Sequence, residues 1–310
     1  MSFKQLIGMG GGSKPDSNLV RPSSTNLTLS RNGSQAPTIV LPRQNSNGRM
    51  STTFNKRYPL VGRIATKFAE SDPAAVVFDG TGSMGTDPEI FMRELPNLMS
   101  HADGLGKYSR SPEVAFGVIG DARNNENYPI QLCGFTSNIV EARKSLESLY
   151  PEGNGGGNGG ESYDLGFYGL ASRIDLAPKQ KGFVVFLGDE PFFRDIRPNE
   201  VQTYFGEQAK FASIQQAVAA IRQKGLDVYM LLRNEAVKSL WTELLGKGFV
   251  SMLDSPEKVV QAIVGIMAGR AGRKEEFVIG LRSGAHKSIA TPVVKALDEL
   301  NIPPKGLIGP

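Results

Sequence analysis

Cysteine and histidine are nearly absent from this 310-residue chain, which contains one cysteine and two histidines. Because Cys133 has no second cysteine to pair with, an internal disulfide is excluded, and we expect a reducing, cytoplasmic setting. Two histidines leave little scope for a zinc site or a histidine-based triad. The chain also lacks an apolar run of the roughly 18–20 residues that a membrane span requires, so we expect no membrane association.

Acidic residues are scarce at the start of the chain. Residues 1–57 hold eight of the 35 lysines and arginines but only one of the 31 acidic residues. This segment is rich in Ser, Asn and Gly and has no sustained hydrophobic periodicity, so we predict a disordered basic tail over 1–57. Such a tail is either solvated without a ligand or the part of the chain that touches nucleic acid or an acidic partner.

From residue 58 onwards, apolar runs alternate with amphipathic helical patterns. The predicted strands are Ala74–Phe78, Val114–Ile119, Ile130–Phe135, Phe183–Leu187, Asp227–Leu232 and Phe249–Leu253. Strands that are apolar throughout and separated by helices are typical of a parallel sheet covered on both faces. The short link before the third run predicts one antiparallel edge strand. We therefore predict a doubly wound, mostly parallel α/β domain of the Rossmann-like class over 58–270, followed by a C-terminal extension over 271–310.

Acidic residues follow three of these strands, at Asp79, Asp121 and Asp189. In open sheets of this type, ligands bind beyond the carboxyl ends of the strands. After Asp79, a glycine-rich turn places two hydroxyls, Thr81 and Ser83, at alternate positions. Carboxylates and hydroxyls offer only oxygen, which suits a hard divalent cation such as Mg²⁺, with Mn²⁺ or Ca²⁺ as alternatives.

Three segments together resemble the von Willebrand factor A (vWA) domain and its metal-ion-dependent adhesion site. They are the run from Asp79 to Met84, the glycine-rich run from Glu152 to Ser162, and the strand end from Phe186 to Glu190. The motifs are most similar to those of the vWA domains associated with alpha-kinases and of their bacterial and phage relatives. The resemblance covers residues 60–270, and it implies the same α/β fold.

The resemblance also implies a role for each matching residue. Thr81 and Ser83 would bind the metal directly through their hydroxyls. Asp79 would bind through water, and Asp189 would be the second-sphere carboxylate of the third loop. These roles describe a site for adhesion through a metal ion.

The second loop departs from the family pattern. Many vWA domains have a Thr there, and the alpha-kinase type has an Asp, whereas the matching position in this chain is Asn158. Glu161 or Ser162 could take its place. A neutral amide ligand would leave the ion facing two carboxylates rather than three, which favours a partner's carboxylate as the last ligand.

Other interpretations of the motifs remain open at this point. The run after Asp79 is also compatible with an ordinary turn that follows a buried strand. A phosphate loop of the sugar-kinase and actin type has Asp-x-Gly-Thr, whereas Gly80 follows Asp79 directly. The glycine run of 153–160 lacks the Lys-Ser/Thr of a P-loop, and it is compatible with a flexible linker.

We therefore expect a protein that binds a partner's Asp or Glu through Mg²⁺, without catalysis. The alternative is a structural subunit of a large homo- or hetero-oligomeric assembly, such as a phage virion, in which the tail contacts neighbours and the metal site is vestigial. A metal-dependent phosphohydrolase that uses Asp79 and Asp189 is the third hypothesis. It is disfavoured because the site has neutral hydroxyl ligands and no activated nucleophile.

Overall fold

A computed structural model of the chain describes residues 64–67, 71–99, 112–124, 126–155, 157–284 and 287–304. The predicted basic tail, 1–57, lies outside these residues and stays a prediction. In the part of the chain that is described, no helix is both long and apolar enough to cross a lipid bilayer.

The described strands, in chain order, are β1 (Ile64–Ala65), β2 (Ala74–Asp79), β3 (Val114–Ile119), β4 (Ile130–Leu132), β5 (Ile174–Asp175), β6 (Gly182–Gly188), β7 (Leu226–Leu232) and β8 (Val250–Met252). Within the described residues, six of them form one sheet in the order β4-β3-β2-β6-β7-β8, and β1 pairs with β5 separately. All neighbours in the large sheet are parallel except β3 and β4, which are antiparallel. The predicted mostly parallel sheet with one antiparallel edge strand is therefore confirmed. The edge strand is shorter than predicted and ends at Leu132.

The described helices are α1 (Asp87–Glu94), α2 (Ile139–Ser148), α3 (Tyr163–Arg173), α4 (Pro198–Phe205), α5 (Ile214–Gln223), α6 (Lys238–Leu245), α7 (Val259–Arg270), α8 (Lys274–Ser283) and α9 (Ala290–Glu299). They cover both faces of the sheet. Alternate residues of β2 face opposite sides: Val76 belongs to the core shared with α1, α2 and α7–α9, and Val77 to the core shared with α3–α6. Because both faces are covered, every residue of β2, β3 and β6 is buried, which explains why these strands are apolar throughout.

The two last helices of the described chain pack on the same core as the sheet. Phe277 of α8 and Leu297 of α9 are buried in the cluster that contains Val76. Leu297 lies so close to Gly265 of α7 that a Cβ on that glycine would be 2.3 Å from the leucine Cδ1. The packing joins part of the predicted extension, 271–310, to the sheet's core.

Strand register determines where the candidate site forms. In β2, Phe78 pairs with Val118 of β3 on one side and with Leu187 of β6 on the other. The three strands therefore end at the same level, and the loops that follow them emerge side by side. This is the edge at which the order of strands reverses around β2, where open α/β sheets bind ligands.

Candidate metal centre

The first loop begins at Asp79, the last residue of β2, whose side chain is completely buried. Its Oδ1 accepts hydrogen bonds from the Thr81 backbone N–H at 2.9 Å and from the Thr81 hydroxyl at 2.7 Å. The Thr81 hydroxyl in turn lies 3.1 Å from the Ser83 Oγ. A 3₁₀ turn over Gly82–Met84 follows, so the loop turns within three residues and its oxygens share one side.

The third loop joins this group through Asp189, which directly follows β6. The Ser83 hydroxyl donates to the Asp189 Oδ1 at 2.9 Å, across a separation of 106 residues. Asp79, Thr81, Ser83 and Asp189 therefore form one chain of oxygen atoms in contact, in which each hydroxyl donates to a carboxylate and the two hydroxyls lie side by side. The structure brings these four sequence-predicted residues together.

Tyr163, the first residue of α3, is a further component that sequence reasoning did not identify. Its hydroxyl donates to the Asp79 Oδ2 at 2.7 Å, so both carboxylate oxygens are hydrogen-bonded. The tyrosine is fully buried, with its ring 4.8 Å from the Trp241 ring in an edge-on arrangement. Gly188 leaves space for the hydroxyl, since a Cβ there would lie 1.8 Å from it. No local sequence signal predicts this contact, because it depends on how α3 packs across the end of the sheet.

The second loop packs directly against the first. The Gly82 N–H donates to the Asn154 carbonyl at 2.8 Å, and the Gly153 N–H donates to the Gly80 carbonyl at 3.0 Å. Gly155 has φ +89°, and a Cβ there would lie 3.0 Å from the Thr81 Cγ2. The position therefore requires glycine for both conformation and space. These contacts favour a structural part of the site over a flexible linker.

Asn158, in the second loop, is hydrogen-bonded to Asp121 rather than to Asp79, Thr81, Ser83 or Asp189. Its side-chain amide donates to the Asp121 Oδ2 at 2.6 Å, and the Asp121 Oδ1 accepts the Arg123 N–H at 2.9 Å. Asp121 thus connects the loop after β3 to the second loop. Its bond from the Arg123 N–H, two residues further along, is that of a side chain that caps a turn.

Glu161 and Ser162, the alternatives to Asn158, differ sharply in their surroundings. The Ser162 hydroxyl accepts the Ala122 N–H at 2.9 Å. Glu161 is fully buried, and neither of its carboxylate oxygens has a hydrogen-bond partner. Burial, and then the nearby charges led by Asp79, raise the pKa of Glu161 to about 9. An unpartnered buried carboxylate is costly unless a proton or a cation accompanies it.

Electrostatic strain extends over the whole cluster. Burial raises the pKa of Asp79 to about 7, although its hydrogen bonds from Thr81 and Tyr163 act in the opposite direction. Burial also raises the pKa of Asp189, while the guanidinium of Arg233 acts to lower it. The hydrogen bonds to Asp79 come from hydroxyl and amide groups, which carry no net charge. This end of the sheet therefore concentrates carboxyl groups whose ionised forms a cation would stabilise.

These residues fit a hard divalent cation. The donors are two carboxylates and two hydroxyls in mutual contact, with the unpartnered carboxylate of Glu161 buried nearby. Mg²⁺ and Ca²⁺ select oxygen ligands of this kind. Within the described ranges, no group of three or more His, Cys, Asp or Glu side chains is arranged to hold a metal, so a cation here would depend on the hydroxyls of Thr81 and Ser83 as ligands.

Arg123 organises the rim beside the site, and sequence reasoning did not identify it either. Its guanidinium pairs with Asp164 at 2.8 Å and with Glu200 at 2.9 Å. It also lies 3.7 Å from the centroid of the Phe193 ring. The neighbouring Phe192 is instead buried against Trp241. Of the two aromatics that follow the third loop, Phe193 is the one at the rim.

No family model and no curated protein sequence matches the chain. Solved structures with similar architecture include the pilus adhesin SpaC from Lactobacillus rhamnosus GG in its open conformation, with a TM-score of 0.49 and 11% identity over 67% of this chain. Proximal thread matrix protein 1 from the mussel byssus, solved with zinc in its MIDAS motif, gives 0.43 and 11% over 69%. BatB from Bacteroides thetaiotaomicron gives 0.42 and 15% over 65%.

These similarities are too remote to carry an argument about ligands. The chain spans 31% of the pilus adhesin, 50% of the mussel protein and 99% of BatB. The geometry of the site therefore has to support any functional conclusion by itself.

Proposed function

We propose that this chain binds a divalent cation, Mg²⁺ by preference, at the end of β2 and uses it to hold an acidic side chain of a protein partner. The observation that carries the proposal is the chain of four oxygen-bearing residues from Asp79 to Asp189, drawn from two loops 106 residues apart. The accumulated carboxylates explain why a cation is needed there. The ion would supply a positive charge at the surface to which an anionic group can bind.

The first loop would provide the direct ligands. The hydroxyls of Thr81 and Ser83 are neutral, and Asp79 and Asp189 together balance the two charges of Mg²⁺. Tyr163 would fix the orientation of the Asp79 carboxylate by its hydrogen bond, as outer-shell partners do in metal sites. A partner's carboxylate would then complete the ion's coordination.

The residue of the second loop that binds the ion determines how strongly the ion attracts a partner's carboxylate. With Asn158 as a neutral ligand, the ion keeps the capacity to attract a partner's carboxylate. With Glu161 as an anionic ligand, the chain alone would hold the ion more tightly. Both oxygens of Glu161 are unpartnered, and the bond of Asn158 to Asp121 uses the amide nitrogen rather than the Oδ1 that would bind the ion, so both residues are candidates for this position.

Two variants distinguish these residues. If Glu161 binds the ion, Glu161→Gln weakens Mg²⁺ binding by the isolated protein tenfold or more, and Asn158→Ala changes it little. The reverse pattern identifies Asn158. Isothermal titration calorimetry with Mg²⁺ measures both.

The proposal includes no catalytic step. The groups in contact with the four-residue chain are hydroxyls, amides and carboxylates that would serve as ligands. The single thiol, Cys133, contacts the carbonyl of Ser145 in α2 at 3.5 Å, and its backbone N–H bonds to Phe116 of β3, away from the ends of β2 and β6. Binding is therefore the activity that this geometry supports.

A comparison of partner capture tests the proposal. Wild-type protein and Asp79→Asn are used as baits in extract from the native source, with Mg²⁺ or with EDTA. Asp298→Asn, an exposed carboxylate of α9, is the matched control for the loss of one charge. We expect a partner that is retained by wild type and the control only with Mg²⁺ and never by Asp79→Asn. A partner that is retained equally in EDTA and by Asp79→Asn would sink the proposal.

A further inference from the structure

A cavity lies at the opposite end of the strands from the candidate metal centre, where β6 and β7 begin. Its volume is about 590 Å³, within the usual range for a small-molecule site. Gly225 and Leu226 at the start of β7 line it. Since β6 has seven residues, the cavity and the candidate metal centre are on the order of 20 Å apart. The two sites are therefore separate.

Positive charge dominates the lining of this cavity. Lys179, Lys181, Arg222 and Arg270 line it, with Asp227 as the acidic residue among its lining residues. Asp227 pairs with Arg270, which also contacts Asp72 at 3.4 Å. Four cations against these two carboxylates leave an excess of two positive charges. No ion pair involves either lysine within the described part of the chain.

The two arginines are held in place by the fold. Arg222 donates to the Leu245 carbonyl at 2.6 Å, and its guanidinium lies 4.7 Å from the centroid of the Phe249 ring. Burial lowers the pKa of Arg222, while the nearby charge of Asp227 acts in the opposite direction. Arg270 is 3% exposed, and its Nε, which is buried, has no hydrogen-bond partner.

The two lysines stand at the mouth, on the turn before β6. Lys179 has φ +65° and is the one non-glycine residue with positive φ in the described ranges. This conformation costs on the order of 1 kcal/mol in a residue with a Cβ. Gly225 has φ +94°, and a Cβ there would lie 3.2 Å from the Lys181 Cδ, so the glycine gives the lysine stem its space.

The remaining lining is apolar and includes a ring. Phe249, Leu226, Pro303 and Pro304 form it. The Arg222 guanidinium lies over the Phe249 ring, so the prolines, Leu226 and the rest of the phenylalanine side chain provide the apolar surface for a planar group. The cavity thus combines a flat apolar wall with cations at its mouth and base.

We propose that this cavity binds a small organic phosphate of nucleotide size, with its ring against Phe249 and its phosphate on Lys179, Lys181 and Arg222. A phosphate monoester carries about −1.5 to −2 charges at pH 7, which matches the excess of two positive charges. Its oxygens accept charge-assisted hydrogen bonds from lysine and arginine. A single carboxylate would neutralise half of this excess.

Titration calorimetry with adenosine 5′-monophosphate tests the assignment, with adenosine and inorganic phosphate as the two halves of the probe. We expect the monophosphate to bind at least tenfold more tightly than either half. The double variant Lys179→Glu/Lys181→Glu should weaken it tenfold or more. Both lysines are exposed, so the fold should tolerate the change.

The matched control reverses the charge of two exposed lysines away from the cavity. Lys144→Glu/Lys295→Glu changes two exposed lysines of α2 and α9, and should alter the affinity less than twofold. Equal weakening by both double variants would overturn the site, because it would indicate a general charge effect. Equal affinity for inorganic phosphate and the monophosphate would contradict the proposal that the cavity binds the organic part of the ligand. A hexaglutamate peptide that binds more tightly than the monophosphate would overturn the proposal in favour of an acidic protein partner.

Discussion

Replacing Tyr163 by phenylalanine removes one hydrogen bond and leaves the ring in place. The hydroxyl donates to the Asp79 Oδ2 at 2.7 Å, and the ring packs edge-on to Trp241 at 4.8 Å. A hydrogen bond to a charged group contributes about 1.5–3 kcal/mol. Removing an outer-shell partner of a metal ligand lowers metal affinity about 10–100-fold, so we expect Tyr163→Phe to weaken Mg²⁺ binding by that factor.

Removing the hydroxyl has two opposite effects on the affinity for Mg²⁺. Without the hydroxyl, the pKa of Asp79 rises above its value of about 7, so the ionised form that binds metal is harder to reach. The same change makes the carboxylate a stronger base toward the ion. The loss of ionisation and of fixed orientation dominates in metal sites whose outer-shell partners are removed, so affinity falls.

Tyr168 offers a matched control in the same helix. It is fully buried, and its hydroxyl donates to the Glu207 Oε1 at 2.9 Å, away from the candidate metal centre. Tyr168→Phe therefore removes the same chemical group and a hydrogen bond of the same type. Both variants should lower the free energy of unfolding in EDTA by a comparable amount, about 1–2 kcal/mol.

Mg²⁺ titration by calorimetry, together with thermal unfolding with and without Mg²⁺, separates the two tyrosines. Only Tyr163→Phe should lose the stabilisation that the ion confers, since a ligand that binds the folded state stabilises it according to its affinity. If Tyr163→Phe binds Mg²⁺ within twofold of wild type while Asp79→Asn does not bind, the positioning role of the tyrosine is refuted.

Three further predictions test the packing around the site and the core. Gly188→Ala should weaken Mg²⁺ binding at least as much as Tyr163→Phe, because its Cβ would lie 1.8 Å from the tyrosine hydroxyl; equal calorimetric affinities for wild type and Gly188→Ala would contradict this. Burial raises the pKa of the Cys133 thiol, so iodoacetamide at pH 7.5 should modify it much more slowly in the folded protein than in urea, and equal rates by mass spectrometry would count against the described fold. Leu297→Ala should lower the free energy of unfolding by about 2–5 kcal/mol, since the leucine is fully buried against the core; a loss below 0.5 kcal/mol in urea denaturation would show that α9 is not part of that core.

The architecture was predictable because its signal is local and repeated. Strands buried on both faces must be apolar at every position, and β2, β3 and β6 are. A carboxylate directly after such a strand marks the end at which ligands bind, which is how Asp79 and Asp189 were found. The edge strand β4 was predicted too long, since regular pairing ends at Leu132 although Cys133 and Thr136 still hydrogen-bond to β3.

The rest of the candidate site depends on contacts that have no local signal. Tyr163 and Asp79 are 84 residues apart and meet because α3 crosses the end of the sheet. In the glycine-rich loop, spacing alone cannot set the register, so Asn158 was predicted as the matching position, with Glu161 or Ser162 as alternatives. The structure places Asn158 on Asp121 and leaves the Glu161 carboxylate buried without a hydrogen-bond partner. Glycine runs have so many accessible conformations that only their neighbours determine the path.

The sequence by itself determined the class of fold and the chemistry of the first loop. The period of its apolar residues permits a doubly wound sheet, and oxygen-only side chains after β2 suit a hard cation whatever surrounds them. Only the tertiary structure decided that Ser83 meets Asp189, that Tyr163 holds Asp79, and that Glu161 is buried without a partner. The physical reason is that residue type sets what a group can bind, whereas the burial and neighbours that set its charge and orientation arise only when distant segments pack together.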